Sequence, residues 1–337
     1  MSQGKGMSLS NGKTNLVSVV VPCYNSSSTI ERTLSSLIKQ TGDFILEIIA
    51  VNSSNDTTPN LITEKFPSIK LIQLPERARP AIARNIGAKE ARGEFIAFLD
   101  SDCTVEKDWL DRMLKHYCGD FSAVGGPILN SNLDNAVGLA GYLLEFGKRL
   151  PLQKKQPIDH LPSGNLLLSQ KTFNYVGGFP EDYEYAQEDR LFSWILTKKT
   201  GKKLMFFPDV AVKHSHREDF DEFLKHQQSI GRGGSEILKH TDLPGSRLIK
   251  KRWLISLFVP IAALKKLVLC IACSVTKCPL KIIRYPHVPA LMAMGMIHWS
   301  FGFYQGIKKR CDPVSLSKKR VEAADDFPWQ DPAQDHL

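Results

Sequence analysis

The chain has 337 residues, 42% hydrophobic and 23% charged, an ordinary globular composition that can bury a sizeable core. Its length fits one large α/β domain with an appendage, or two domains. Net charge is +9, and Lys239 to Arg284 holds ten basic residues against Asp242 alone, a block suited to anionic lipid headgroups or nucleic acid.

Residues 1–15 are rich in Ser, Gly and Lys, lack the apolar core of a secretory signal and read as a disordered leader. Val17 to Val21 is a β-branched run that stops at Pro22. Ser28 to Gln40 has helical spacing, with Ile30, Leu34, Leu37 and Ile38 on one face. Ile45 to Val51 is the next strand, followed by the polar turn Asn52-Ser53-Ser54-Asn55-Asp56. Leu61 to Phe66 reads as helix, Ile69 to Leu74 as strand, and Pro80 to Ala91 as a helix with proline at its first position. Phe95 to Leu99 is wholly apolar, as a strand buried on both faces must be. Asp108 to Tyr117 is again helical and Phe121 to Gly126 again a strand.

Asn130 to Pro162 is less regular and reads as a loop-rich excursion over the sheet edge. Beyond it lie the buried run Leu166 to Leu168, a short helix from Lys171 to Val176 stopped by Gly177-Gly178, an amphipathic helix from Asp189 to Lys199, and a strand from Leu204 to Phe207. Strands alternating with helices at this spacing predict a mostly parallel sheet flanked by helices.

Near Arg247 the composition shifts. Trp253 to Thr276 is apolar but interrupted by Pro260 and Lys265-Lys266. Val288 to Ile307 has no Asp, Glu, Lys or Arg over twenty residues, a length that can cross a bilayer. With basic flanks, these segments favour a membrane surface over nucleic acid as partner. Cys270 and Cys273 have C-x-x-C spacing without a second pair of ligands, so they read as small buried thiols. Seven irregularly spaced cysteines suit a reducing compartment. The expected organisation is a leader over 1–15, a catalytic domain over 16–235, a basic and apolar helical segment over 236–310, and a polar tail over 311–337.

The chemistry-bearing residues fall in order. Pro22, Tyr24 and Asn25 close the first strand, and Ala83-Arg84-Asn85 lies on the helix before the acidic strand. Asp100-Ser101-Asp102 ends that strand, where α/β sheets bind ligands. Paired carboxylates there can hold Mg²⁺ or Mn²⁺ against a phosphate. Gly177-Gly178-Phe179-Pro180, Glu188-Asp189, Pro208 and His214 follow.

This order resembles the family 2 glycosyltransferases, which have the GT-A fold, over about two thirds of the chain. The resemblance implies a nucleotide-sugar donor, a divalent metal and inversion at the anomeric carbon. It implies that Pro22, Tyr24, Asn25, Asn52, Arg84 and Asp100 bind the nucleotide. It makes Asp102 and His214 metal ligands and Asp189 the catalytic base, with Glu188 beside it. For Asp189 to act near neutral pH, burial is expected to raise its pKa.

Asn52 stands where the family usually has Asp, and the turn is one residue shorter. Gln227-Gln228-Ser229-Ile230-Gly231-Arg232 is only a loose relative of the Gln-x-x-Arg-Trp of processive synthases. The expected donor is a UDP-sugar, and the expected acceptor a hydroxyl or lipid-linked glycan at the cytoplasmic face of a membrane. A metal-dependent nucleotidyltransferase and a non-enzymatic membrane scaffold remain as alternatives.

Overall fold

A computed structural model describes residues 15–117, 120–132, 134–147, 154–249, 251–277 and 279–308. In chain order the strands are β1 (Asn15–Cys23), β2 (Phe44–Asn52), β3 (Lys70–Gln73), β4 (Phe95–Leu99), β5 (Cys103–Val105), β6 (Phe121–Gly125), β7 (Ile128–Asn130), β8 (Gln156–Ile158), β9 (Asn165–Ser169), β10 (Lys203–Phe206) and β11 (Val212–His214). The helices are α1 (Ile30–Leu37), α2 (Thr58–Lys65), α3 (Pro80–Lys89), α4 (Trp109–His116), α5 (Ala136–Glu145), α6 (Gln170–Val176), α7 (Glu188–Thr200), α8 (Phe220–His240), α9 (Ser246–Ile249), α10 (Arg252–Lys277), α11 (Pro279–Arg284) and α12 (Val288–Lys308).

The main sheet has the order β3-β2-β1-β4-β9-β6-β10-β8. β3, β2, β1 and β4 run parallel, β9 is antiparallel to both β4 and β6, and β10 is parallel to β6. Side-chain alternation sends Val17, Val19, Val21, Ala97 and Leu99 into one core with α1 and α4. It sends Val20, Ile96, Phe98, Leu166 and Leu168 into the other, with α3, α6 and α7. The continuous apolar run of β4 is thus needed on both faces. Gly87 lets α3 lie close on β1, since a Cβ there would overlap Val20.

A second small sheet, β5-β11-β7, sits at the mouth of the first. It was not legible as strands, because three-residue runs carry no period. The excursion expected over Asn130 to Pro162 instead contains the apolar helix α5 and strand β8. Asn135 caps α5 by accepting from the Gly138 N–H at 2.8 Å. α8 runs unbroken through residue 235, where a domain boundary was expected.

Among the described residues, the helix long and apolar enough to cross a bilayer is Leu257–Thr276, with mean hydropathy 2.0, inside the first of the two expected segments; Val288–Ile307 does not meet that measure. α12 lies along α8 with glycines at the contact. A Cβ on Gly302 would overlap the Gln228 carbonyl, one on Gly231 the Trp299 carbonyl, and one on Gly306 the Ser235 hydroxyl. The lone charge-free run is therefore partly an interior helix. α10 exposes Leu257, Ile261, Leu264 and Val268, spaced along one helical face. Cys270 is buried and Cys273 half-buried. The expected leader and polar tail lie outside the described residues, except for Asn15 at the start of β1.

Candidate active site

β4 ends at Leu99, and Asp100, Ser101 and Asp102 form the turn into β5. β11 pairs antiparallel with β5 and sets His214 opposite Cys103. The register is fixed by the Ser215 N–H, which donates to the Asp102 carbonyl at 3.1 Å. His214 Nε2 consequently lies 3.2 Å from Asp102 Oδ2. Burial alone would raise the Asp102 pKa, but the imidazole outweighs it and holds the carboxyl below its ordinary range. Against the opposite pull of burial, the same contact raises His214. Two ligands about 2.1 Å from an octahedral cation lie about 3 Å apart, so this oxygen–nitrogen pair suits Mn²⁺ or Mg²⁺. Cys103 is close enough to join, but burial pushes its thiol well up, leaving it protonated and a donor to Asp102 Oδ1 at 3.8 Å. His216 stacks edge-on against His214 with ring centroids 4.3 Å apart, and burial drives its pKa down to about 3.

Arg84 joins this corner to the second acidic pair. It is only 4% exposed, not a solvated side chain on a helix face. Its Nη2 donates to Asp100 Oδ1 at 2.8 Å and its Nη1 to Glu188 Oε1 at 2.7 Å. Burial disfavours its charge, yet the two carboxylates raise its pKa further. Both terminal nitrogens of Arg84, which was expected near the ribose or diphosphate, are engaged by carboxylates, so the side chain holds Asp100 beside Glu188. Gly164 makes room, since a Cβ there would overlap Asp100 Oδ2.

Glu188 and Asp189 open α7 and diverge electrostatically. Burial pushes Glu188 up, and the neighbouring Asp189 charge adds to it. Burial also pushes Asp189 upward, but His160 outweighs it and brings the pKa to about 2. The expected rise for Asp189 is thus reversed. Its Oδ2 lies 3.1 Å from His160 Nε2 and 3.4 Å from the Ser163 N–H, and its Oδ1 accepts from the Arg190 N–H at 2.8 Å.

At the end of β1, Pro22 is half-buried, while Tyr24 and Asn25 are exposed. Tyr24 is 43% exposed, with the Arg77 guanidinium 4.4 Å from its ring centre, so it is a surface platform and not strand-end packing. Asn25 has φ +51°, which turns the chain sharply after the strand. Asn52 does not join them. It is fully buried: its Nδ2 donates to the Ser54 carbonyl at 2.9 Å and to Gln73 Oε1 at 2.8 Å, and its Oδ1 accepts from Ser54 Oγ at 2.9 Å. The amide has become structural, tying the ends of β2 and β3.

Residues 18–177 match the family model described as glycosyl transferase family 2. The match spans a little under half of the chain, which is similar to this family over those residues. It is 27% identical over 235 residues to a pre-mycofactocin glycosyltransferase of Mycobacterium tuberculosis, covering 67% of this chain and 48% of the relative. It is 35% identical over 164 residues to the succinoglycan biosynthesis protein ExoO of Rhizobium meliloti, covering 48% and 46%. The chain thus spans about half the length of these curated relatives. The mannosyltransferase PcManGT from Pyrobaculum calidifontis, solved with GDP-Man and Mn²⁺, shares the fold at TM-score 0.56 and 20% identity, covering 87% of this chain and 88% of that one.

The fold thus joins Arg84 to Asp100 and Glu188, and His214 to Asp102; Asp189, next to Glu188 in the chain, meets His160, and Asn52 stays in the framework. Sequence reading missed Arg77 and His160. Neither lies in a recurring motif; each acts by crossing from one loop to another. Asn85 proves to be a brace: its Oδ1 accepts from the Phe179 N–H at 2.8 Å and its Nδ2 donates to Glu181 Oε1 at 2.8 Å.

Proposed function

We propose that this protein is a glycosyltransferase that moves a sugar, with inversion, from a nucleoside-diphosphate donor of the UDP-sugar type to a hydroxyl of a glycan or lipid-linked acceptor at the cytoplasmic face of a membrane. The observation that carries the reading is the Arg84 bridge. It holds Glu188, the neighbour of the candidate base, against the Asp-x-Asp turn, although the two acidic pairs are far apart in sequence.

In this reading Tyr24 stacks on the base and Asn25 bonds the base edge or ribose. Asp100, fixed by Arg84, faces the ribose. Asp102 and His214 would hold Mn²⁺ or Mg²⁺, which when bound offsets charge on the departing diphosphate. Asp189 is ionised at neutral pH, the state a base requires. As the acceptor oxygen bonds to the anomeric carbon, its proton passes to Asp189. The bond from that carbon to the phosphate oxygen breaks, and its electron pair leaves with the nucleoside diphosphate. The low Asp189 pKa means that transfer occurs late, once bond formation has made the hydroxyl acidic.

An Asp189→Asn variant should bind UDP with Mn²⁺ as the parent does, yet lose sugar transfer by about 10²–10⁴-fold. Calorimetry and release of nucleoside diphosphate measure the two effects. Transfer at the parent rate would reject Asp189 as base, and release of pyrophosphate would point to nucleotidyl transfer.

A further inference from the structure

The loop before Glu188, helix α8 and the end of helix α12 enclose a cleft of about 820 Å³ that the glycosyl-transfer site does not use. Lys225, Arg232 and Lys308 line it, against one carboxylate, Glu184. Lys225, Gln228 and Arg232 are spaced three and four residues apart, so they share one face of α8. We infer that this cleft binds the phosphate or diphosphate headgroup of an acceptor carried on an isoprenoid or similarly apolar chain. The inference rests on the glycosyl-transfer reading and names the class of acceptor.

The donors are held in place. Gln305 Oε1 accepts from Gln228 Nε2 at 2.9 Å and from Arg232 Nη2. The Arg232 guanidinium also lies 5.9 Å from the centre of the Tyr185 ring. A guanidinium fixed on two sides loses little freedom when it meets a phosphate. The volume is that of a site for a headgroup with part of what it carries, and larger than one phosphate requires.

Apolar surface leads directly to this charge. Along α12, Ile297 and Phe301 are exposed, and Gln305 and Lys308 follow at steps of four and three on the same face. A chain lying on Ile297 and Phe301 would deliver its headgroup to Gln305 and Lys308. The exposed stripe of α10 belongs to the same helical half and suits a lipid surface.

The cleft is also close to the chemistry. Tyr185 and Asp189 are four residues apart, which limits their Cα separation to about 15 Å. The loop that carries Tyr185 and leads into α7 is pinned to α8: Tyr183 Oη donates to the Gly233 carbonyl at 2.8 Å, and Gln187 Nε2 donates to the Ile230 carbonyl at 3.0 Å. A group attached to a phosphate in the cleft therefore comes within reach of Asp189.

The test uses the full chain and phosphatidylcholine vesicles doped with farnesyl phosphate, with farnesol or with phosphatidylserine. Co-sedimentation should favour farnesyl phosphate over farnesol by about tenfold, the effect of one charge-assisted contact. Lys225→Gln and Lys308→Gln change exposed side chains and leave the packing intact, yet each should lower that preference about fivefold. Lys281→Gln, on α11 away from the cleft, should leave it unaltered. Equal retention on phosphatidylserine vesicles would reduce the cleft to part of a general anionic-lipid surface and overturn the inference. So would an unaltered preference in both lysine variants. If dissolved glycerol phosphate competes as well as farnesyl phosphate, the lipid-borne part falls. Binding of UDP with Mn²⁺ is read separately in the parent protein, so a failed cleft and a failed transfer site are distinguishable.

Discussion

The two halves of this chain solve burial in opposite ways. In the sheet half, apolar side chains point inward on both faces, and Tyr24, Ile38 and Ile45 are its exposed large apolar residues among those described. Buried charge is tolerated there because it is paired, as Arg84 is with Asp100 and Glu188. In the helical half, contact is made by glycines that bring α8 and α12 backbone to backbone, while Leu257, Ile261, Leu264, Leu280, Ile283 and Phe301 face outward. One half closes around a charged site. The other leaves apolar surface that water alone does not reward.

The largest test of this contrast removes the paired charge. Arg84→Met leaves Glu188 and Asp100 without their cation, and should cost about 3–5 kcal/mol in chemical denaturation, with loss of transfer. A cost below 1 kcal/mol would mean that the network is not what closes the sheet half. The seam between the halves is tested next. Glu145, at the end of α5, accepts from Gln227 Nε2 of α8 at 2.9 Å and lies 3.4 Å from His226. Burial pushes its pKa up, but His226 and other basic neighbours outweigh this and bring it to about 2.

A carboxyl with a lowered folded-state pKa stabilises the fold above its unfolded value and stops doing so as pH falls through the folded one. The contribution, about 3 kcal/mol, should therefore be present above pH about 4.5 and be lost toward pH about 2. Glu145→Gln should abolish that acid dependence in melting curves and lower stability at pH 7. In the helical half, Gly302→Ala drives a methyl into the Gln228 carbonyl and should cost about 1–3 kcal/mol, with nucleotide binding preserved. If nucleotide binding falls in step, the halves are not separable. The smallest effect is Tyr24→Ala. Losing one stacked ring should weaken donor binding by about 1–2 kcal/mol, read as a raised KM with kcat little altered.

Some of this was legible and some was not, for identifiable reasons. Val17 to Val21 and Phe95 to Leu99 read as strands because burial on both faces leaves an unbroken apolar run, and they became β1 and β4. Glu188-Asp189 and Asp100-Ser101-Asp102 were visible as motifs, but the arginine that holds them together was expected to bind phosphate. Sequence spacing gives a residue's chemistry and not its partner. The partners of Asn52 were hidden in the same way: Gln73 and Ser54 take up its amide. Val288 to Ile307 looked suited to crossing a bilayer because it lacks charge, yet its glycines serve the contact with α8.

Local order in this protein followed from patterns within a few residues: β-branched runs, helical spacing, proline and glycine stops, and carboxylates at the end of an apolar strand. Those patterns were sufficient for the α/β layout, because backbone hydrogen bonding and side-chain alternation act at short range. The pairing of Arg84 with Glu188 and of His160 with Asp189 was decided by the folded chain alone. Electrostatic and packing energies depend on distance in space, and only the closed sheet brings these side chains within about 3 Å of each other.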